Sequence, residues 1–362
     1  MVRGDRRERR DREERDSTRS IQSNFALPSR FVPPAPVVPL APLVFLLFTL
    51  LLPGCSSRQK PESHWCCATD AARVLRSQKP RAHGDQLVFR QTPKNGGNHI
   101  VLFTGSRRAE INGTLVWLNS APFGRPGSRH WRMSRNDLTN TLHAICMPRP
   151  APQNKLVMLD PGHGGNDPGA ATADGALLEK NITLDLALRV KSILESRGIP
   201  AALTRETDAT LSPSDRALLA SFQPAGLFVS IHLNHAANTL ANGVETFILP
   251  AAGHPSTAAA ERPRGVLPTD DERASEAWRP GNAFDPENAR LGYALQSRLA
   301  PPASDRGLKR NRFRVLSNAP CPAVLVECGF LSNPEEAALL QTSAHREKTA
   351  LALADAITSF LQ

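Results

Sequence analysis

The sequence predicts an α/β protein, a layered mixed or mostly parallel sheet flanked by helices, preceded by a small β-rich domain. Three observations point there. From about residue 155 onward, short apolar runs alternate with segments whose apolar residues recur at helical spacing, and strands interleaved with helices build layered α/β domains. Several of those runs are too apolar to be anything but core strands, and they end on titratable residues: His163 follows V-M-L-D-P-G, His232 follows L-F-V-S-I, and Glu327 follows A-V-L-V. Residues 86–147, by contrast, hold only short β-rich runs broken by turn signals. At 362 residues and 40% hydrophobic, the chain is long enough for two domains plus tails.

Residues 1–55 read as a leader. Met1 to Arg30 is a run of Arg, Asp and Glu with almost nothing to bury. Val37 to Leu52 is apolar but short for a membrane span of about 20 residues, and two internal prolines shorten its helical part further. A basic region, an apolar core and a small residue before a cut describe a secretory signal. Cys55, directly after Gly54, resembles the lipobox of bacterial lipoproteins, which implies lipidation at Cys55 and a membrane anchor there. An uncleaved N-terminal anchor is the alternative. Both readings take the rest of the chain out of the cytoplasm, into the envelope or periplasm.

Residues 56–85 are polar and read as a tether. Residues 86–147 contain L-V-F-R, H-I-V-L-F-T and A-E-I-N-G-T-L-V-W-L, separated by Pro-Lys-Asn-Gly-Gly and Asn112-Gly113, which signal hairpins in a small β-rich ancillary domain. Residues 148–154 form a Pro-rich, stiff linker to a catalytic domain at 155–362. The net charge of +10 is unevenly spread: residues 61–151 have 13 basic against 5 acidic side chains, and residues 152–362 have 20 against 23. A basic surface can serve nucleic acid, but a secreted chain meets anionic envelope polymers and lipid head groups instead, so no nucleic-acid partner is expected. With Cys55 lipidated, five cysteines remain, an odd number that excludes a fully paired framework. A disulfide from Cys66 or Cys67 to Cys146 is the available pairing, and Cys328, inside an apolar run, reads as a small buried residue.

Within 155–362 the elements follow in order. The apolar run through Leu159 is a strand that must turn at Asp160-Pro161-Gly162. Glu179 to Ser196 is a helix with Ile182, Leu186, Val190, Ile193 and Leu194 on one face, closed by Gly198. Pro200 to Thr204 is a strand, Ser212-Pro213-Ser214-Asp215 opens a helix to Phe222, and Leu227 to His232 and Val244 to Leu249 are strands. Helices are expected at Glu287 to Leu299, Pro334 to Leu340 and His345 to Leu361, and strands at Arg314 to Leu316 and Ala323 to Glu327.

The carboxyl ends of strands in open α/β sheets are where sites assemble. His163, flanked by Gly162, Gly164 and Gly165, sits at such an end, as do His232 and Glu327, while Glu179 opens a helix. Two neutral imidazoles and one carboxylate make a three-ligand zinc set with a fourth position open for water, the pattern of a hydrolytic site, and the second Glu is then a general base. The residues alone imply metal-dependent hydrolysis and no particular substrate. D-P-G-H-G-G, the E-K-N opening a helix, S-I-H-L-N, D-R-G-L-K and V-E-C-G-F-L-S-N-P-E-E together resemble, in order and spacing from Lys155 to the C-terminus, the zinc-dependent N-acetylmuramoyl-L-alanine amidases of the bacterial cell wall (the amidase 3 family). The resemblance implies one Zn2+ held by His163, Glu179 and His232, Glu327 as the general base, and hydrolysis of the amide between N-acetylmuramic acid and L-alanine in peptidoglycan. Asn234, Arg306, Lys309, Arg310 and Arg312 are candidate substrate contacts, the cations because they cluster in an otherwise acidic domain and stem peptides carry carboxylates.

Residues 251–286 are too long for an ordinary connection and read as an insertion. Such a segment is a mobile loop bordering the substrate groove, an inhibitory lid or plain disorder, and the resemblance implies the lid as an option because some relatives of the family hold an inserted segment over the active site until an activator protein removes it. Here Pro255, Pro263, Pro268, Pro280 and Pro286 limit any helix to about Asp271 to Trp278, from which Glu272 or Glu276 would have to reach the metal. Two other function classes fit the pattern: a different zinc-dependent envelope hydrolase, peptidase or deacetylase, and an inactive cell-wall-binding lipoprotein.

Overall fold

The computed structural model describes residues 64–125, 130–260, 277–300 and 304–362. The leader with Cys55 and its apolar stretch, and the middle of the 251–286 insertion including Glu272 and Glu276, lie outside them. No helix among the described residues is long and apolar enough to cross a membrane.

The strands are β1 (Trp65–Cys67), β2 (Arg81–His83), β3 (Gln86–Arg90), β4 (His99–Phe103), β5 (Arg108–Ile111), β6 (Thr114–Trp117), β7 (Arg132–Ser134), β8 (Val157–Pro161), β9 (Ala201–Leu203), β10 (Leu227–Asn234), β11 (Val244–Ile248), β12 (Asp305–Arg310) and β13 (Ala323–Phe330). β1 and β7 pair with each other, and the other eleven form one sheet in the order β2-β3-β4-β5-β6-β12-β11-β13-β10-β8-β9. β13, β10, β8 and β9 are mutually parallel, as near-continuous apolar runs buried on both faces require. β11 enters antiparallel to β13, so the sheet is mixed. Helices Glu179–Ser196, Asp285–Leu299 and Ser343–Leu361 pack on it through Leu186, Val190, Leu291, Leu295, Leu353 and Ile357, all fully buried.

Two expectations need correction. Part of the tether is built structure: residues 68–74 form a helix that buries Ala68, Ala71 and Ala72, and β1 and β2 flank it. The strand expected at Arg314 to Leu316 is a helical turn, Arg314–Ser317, and the strand lies earlier, at Asp305–Arg310. Its charged sequence D-R-G-L-K-R hides it, because Arg306 and Lys309 are neutralised by the buried Glu245 and Leu308 alone supplies the apolar signal.

The β-rich residues do not stand apart. β2 to β6 make an antiparallel meander whose last strand joins β12 in parallel at Leu308 and Val116. The described residues from 64 onward belong to one compact unit. Arg310, 3% exposed, donates to the Trp117 carbonyl at 2.9 Å and to Thr141 Oγ1 at 2.7 Å, and Tyr293 donates to the Ile111 carbonyl at 3.0 Å.

The five described cysteines are free thiols, and burial pushes Cys146 and Cys321 up to about 12.

Candidate metal centre

The site forms where the parallel strands end. β8 delivers Asp160-Pro161 and then the glycine loop holding His163, β10 delivers His232, and β13 delivers Glu327 directly opposite His232 in register. Glu179, buried, comes up from the first turn of its helix. His163, Glu179 and His232 place one ligand atom each within 4.8 Å of one another, the one such group among the described residues. His163 Nε2 lies 3.1 Å from Glu179 Oε2, and His232 Nδ1 lies 2.9 Å from Glu179 Oε1.

Backbone and neighbours fix these orientations. His163 has φ +58°, a left-handed conformation costly for a side chain of this size and characteristic of functional loops. Its Nδ1 is 2.7 Å from Asp167 Oδ2, an arrangement that sets the tautomer and leaves Nε2 facing the group. Glu179 also accepts from the Leu233 and Ala170 amides, at 3.0 and 2.8 Å. Burial alone would raise the Glu179 carboxyl, but its hydrogen bonds to the two imidazoles outweigh that and hold it far below the usual carboxylate range. His163 is drawn upward for the matching reason: burial disfavours its cation, and Glu179 and Asp167 together more than offset it.

Beneath the loop, two buried arginines tie its carbonyls. Arg216 donates through Nη1 to Asp160 Oδ1 at 2.8 Å and to the Pro161 carbonyl at 2.7 Å, and through Nη2 to the His163 carbonyl at 2.7 Å. Arg205 donates to the carbonyls of Pro161, Gly162 and Lys180. Asp160, fully buried, also accepts from Thr204 and Ser230.

Glycine is required where the chain grazes the rings. A Cβ on Gly162 would stand 2.3 Å from His232 Cε1, and one on Gly169, at φ +67°, would stand 2.6 Å from both Glu179 Oε2 and His163 Cδ2. Gly169→Ala is therefore expected to displace a ligand side chain and weaken metal binding by about 10- to 100-fold, as loss of an orienting partner does. Competition titration of zinc against a chelator measures it.

Glu327 lines the same groove, a cavity of about 470 Å³. Its Oε2 is buried and without a hydrogen-bond partner among the described residues. Burial first, then the negative charges of Glu179 and Glu245, push its carboxyl well above the usual range. The donor set fits zinc: two imidazoles and a carboxylate of the types it prefers, one imidazole already oriented by a carboxylate, and an orphaned carboxyl oxygen beside them.

Of the candidate substrate contacts, Asn234 lines the groove, with its amide held by Glu245. The four cations do not. Arg306 and Lys309 bind Glu245, Arg310 is buried against the β-rich strands, and Arg312 donates to the His254 carbonyl. Arg306, Lys309 and Arg310 lie on β12, which is paired on both sides, and Arg312 follows two residues beyond its end. Asp167, Arg205 and Arg216 are further residues of the site that the sequence motifs do not single out. The four-residue spacing from His163 was the available signal for Asp167, whereas a helix arginine such as Arg216 looks like any exposed cation until its carboxylate is located.

The Amidase_3 family profile, described as N-acetylmuramoyl-L-alanine amidase, matches residues 157–359. The chain belongs to this family. It is 35% identical over 224 residues to the N-acetylmuramoyl-L-alanine amidase AmiA of Salmonella typhimurium, a match spanning 57% of this chain and 76% of AmiA, and 34% identical to the Escherichia coli AmiA over the same shares. Among solved structures, the catalytic domain of CwlV, an N-acetylmuramoyl-L-alanine amidase from Bacillus (Paenibacillus) polymyxa var. colistinus, is 30% identical, with coverage of 57% of this chain and 98% of that one and a TM-score of 0.45. Every element that contributes to the His163, Glu179, His232 and Glu327 cluster falls inside the matched span, whereas β1 to β7 fall outside it.

Proposed function

We propose that this amidase hydrolyses the amide between the lactyl group of N-acetylmuramic acid and L-alanine in peptidoglycan, with zinc held by His163, Glu179 and His232 and with Glu327 as the general base. The observation that carries the reading is the register of β10 and β13, which sets Glu327 beside the three-ligand group at the mouth of one groove. Bound zinc would supply Lewis-acid activation of water near neutral pH. Glu327 Oε2 has no hydrogen-bond partner among the described residues, and with the charge of a bound zinc offsetting the negative groups beside it, its carboxylate would be ionised and able to take a proton from the attacking water and return it to the leaving alanine nitrogen. Asp167 keeps the His163 ring in one tautomer, and Glu179, bound by two amides, keeps its carboxylate aimed between the rings. Leu211, Phe313 and Val315 give the groove an apolar wall for the substrate.

Work on peptidoglycan puts the enzyme in the cell envelope, and the apolar stretch ending at Cys55 supports export and lipid anchoring. Digestion of purified cell wall by the full-length, zinc-loaded enzyme tests the function. New alanine amino termini are expected to appear with no new reducing sugar ends and no cleavage within the stem peptide. Release of acetate or of internal peptide fragments instead would move the enzyme to the deacetylases or peptidases.

A further inference from the structure

Two guanidinium groups border the groove, and they are in opposite states. Arg216 is buried, with all its donor nitrogens committed to Asp160, Leu211, Pro161 and His163. Arg314 is exposed, and its side chain makes no hydrogen bond or ion pair among the described residues, although the groove also presents the carboxyl groups of Glu179 and Glu327. An exposed arginine is usually a solvated one. Arg314 differs in the rigidity of what carries it.

The segment leading to it is pinned at three successive residues. The Asn311 amide donates to the Ile248 carbonyl at 3.0 Å, Arg312 donates to the His254 carbonyl, and the Phe313 ring meets Phe247 edge-on with centroids 5.2 Å apart. Phe313 and Val315, on either side of Arg314, both line the groove. A five-donor planar fork on a fixed wall, beside an amide-cleaving centre and without an internal anion, suits bidentate capture of a carboxylate.

We infer that Arg314 is a specificity residue that binds a free carboxylate of the stem peptide close to the scissile amide, at the residue following L-alanine. The inference rests on the amidase reading and adds which form of the substrate the enzyme prefers: the free acid over the amidated peptide, in which the carboxylate is a carboxamide. A carboxamide cannot accept two parallel hydrogen bonds from the fork and has no charge to offer it. Arg314 belongs neither to the ligand group nor to the general-base position, so its proposed role is in binding, with the chemical step left to Glu327 and the metal ligands.

The test uses the full-length enzyme and two soluble muropeptides identical except for carboxylate or carboxamide at that residue. Arg314→Ala is expected to raise KM for the acid form by about tenfold, the scale of one charge-assisted contact, with kcat little changed, and to bring the KM for the acid form close to that for the amide form. Arg314→Lys should recover part of the loss, since it restores charge without the fork. Equal KM increases on both muropeptides, or none on either, would overturn the assignment while leaving the amidase reading intact. A wild-type enzyme that opens neither muropeptide overturns that reading and this one together.

Discussion

Glu327→Gln is expected to retain one zinc per chain and lose turnover on cell wall by about 10²- to 10⁴-fold, the usual contribution of a positioned general base. The substitution keeps the shape and removes the ability to accept a proton at Oε2. None of the three atoms facing one another in the ligand group belongs to Glu327. Elemental analysis alongside the digestion assay separates the roles: an intact, folded variant without zinc would place Glu327 among the ligands. The same variant carries a pH signature in the metal-free protein. Burial and the charges of Glu179 and Glu245 raise the folded carboxyl above its unfolded value of about 4.3. The folded state then holds a proton that the unfolded chain releases, so this group costs nothing below that value and lowers stability progressively as pH rises above it. Glu327→Gln escapes the loss, and the metal-free variant is expected to exceed the metal-free wild type in urea midpoint by a margin that widens from pH 4 to pH 7. A margin independent of pH would contradict the burial of an ionisable Oε2.

Arg216→Met should destabilise the fold by about 3 to 5 kcal/mol, the range for breaking a buried ion pair by removing one partner. Asp160 is fully buried and would keep only the Thr204 and Ser230 hydroxyls, and the carbonyls of Pro161 and His163 would lose a donor each. Because the His163 carbonyl belongs to a residue at φ +58°, the loop that loses its tie is the one under backbone strain. Urea unfolding of the full chain measures the loss, and zinc affinity should fall with it. A double variant, Arg216→Met with Asp160→Leu, should recover part of the stability by removing the orphaned charge, without restoring the metal affinity.

What the residues revealed before the fold was known followed from how local the determining physics was. D-P-G-H-G-G and S-I-H announce themselves because an apolar strand cannot pass through Pro-Gly, and because a titratable histidine closes a run otherwise apolar enough for a core strand. Ser212 is legible as a helix cap, and its hydroxyl indeed accepts from the Asp215 amide. β12 was illegible, since its signal is a single buried Leu308 among charges whose neutralisation comes from Glu245, some sixty residues away. The cation cluster is misleading for the same reason: a run of charges suggests exposed side chains, whereas Arg306, Lys309 and Arg310 are claimed by partners distant in sequence. In sequence Arg314 stands only at the start of an expected strand, and its exposed state is visible only once its neighbours' partners are known.

The parallel join of β6 to β12 means that the boundary of the family-matched segment and the boundary of what can exist alone are different lines. Cutting the chain near residue 155 would strip β12 of its outer neighbour, leaving a row of amide and carbonyl groups open at the edge of a sheet, and would leave the Arg310 guanidinium without the Trp117 carbonyl and the Thr141 hydroxyl that now receive it. The amino-terminal strands thus serve as an end-cap for the hydrolase. A lineage that lost them would need a new cover for that edge, and a change in the meander can reach the groove through β12 without touching a single residue of the site.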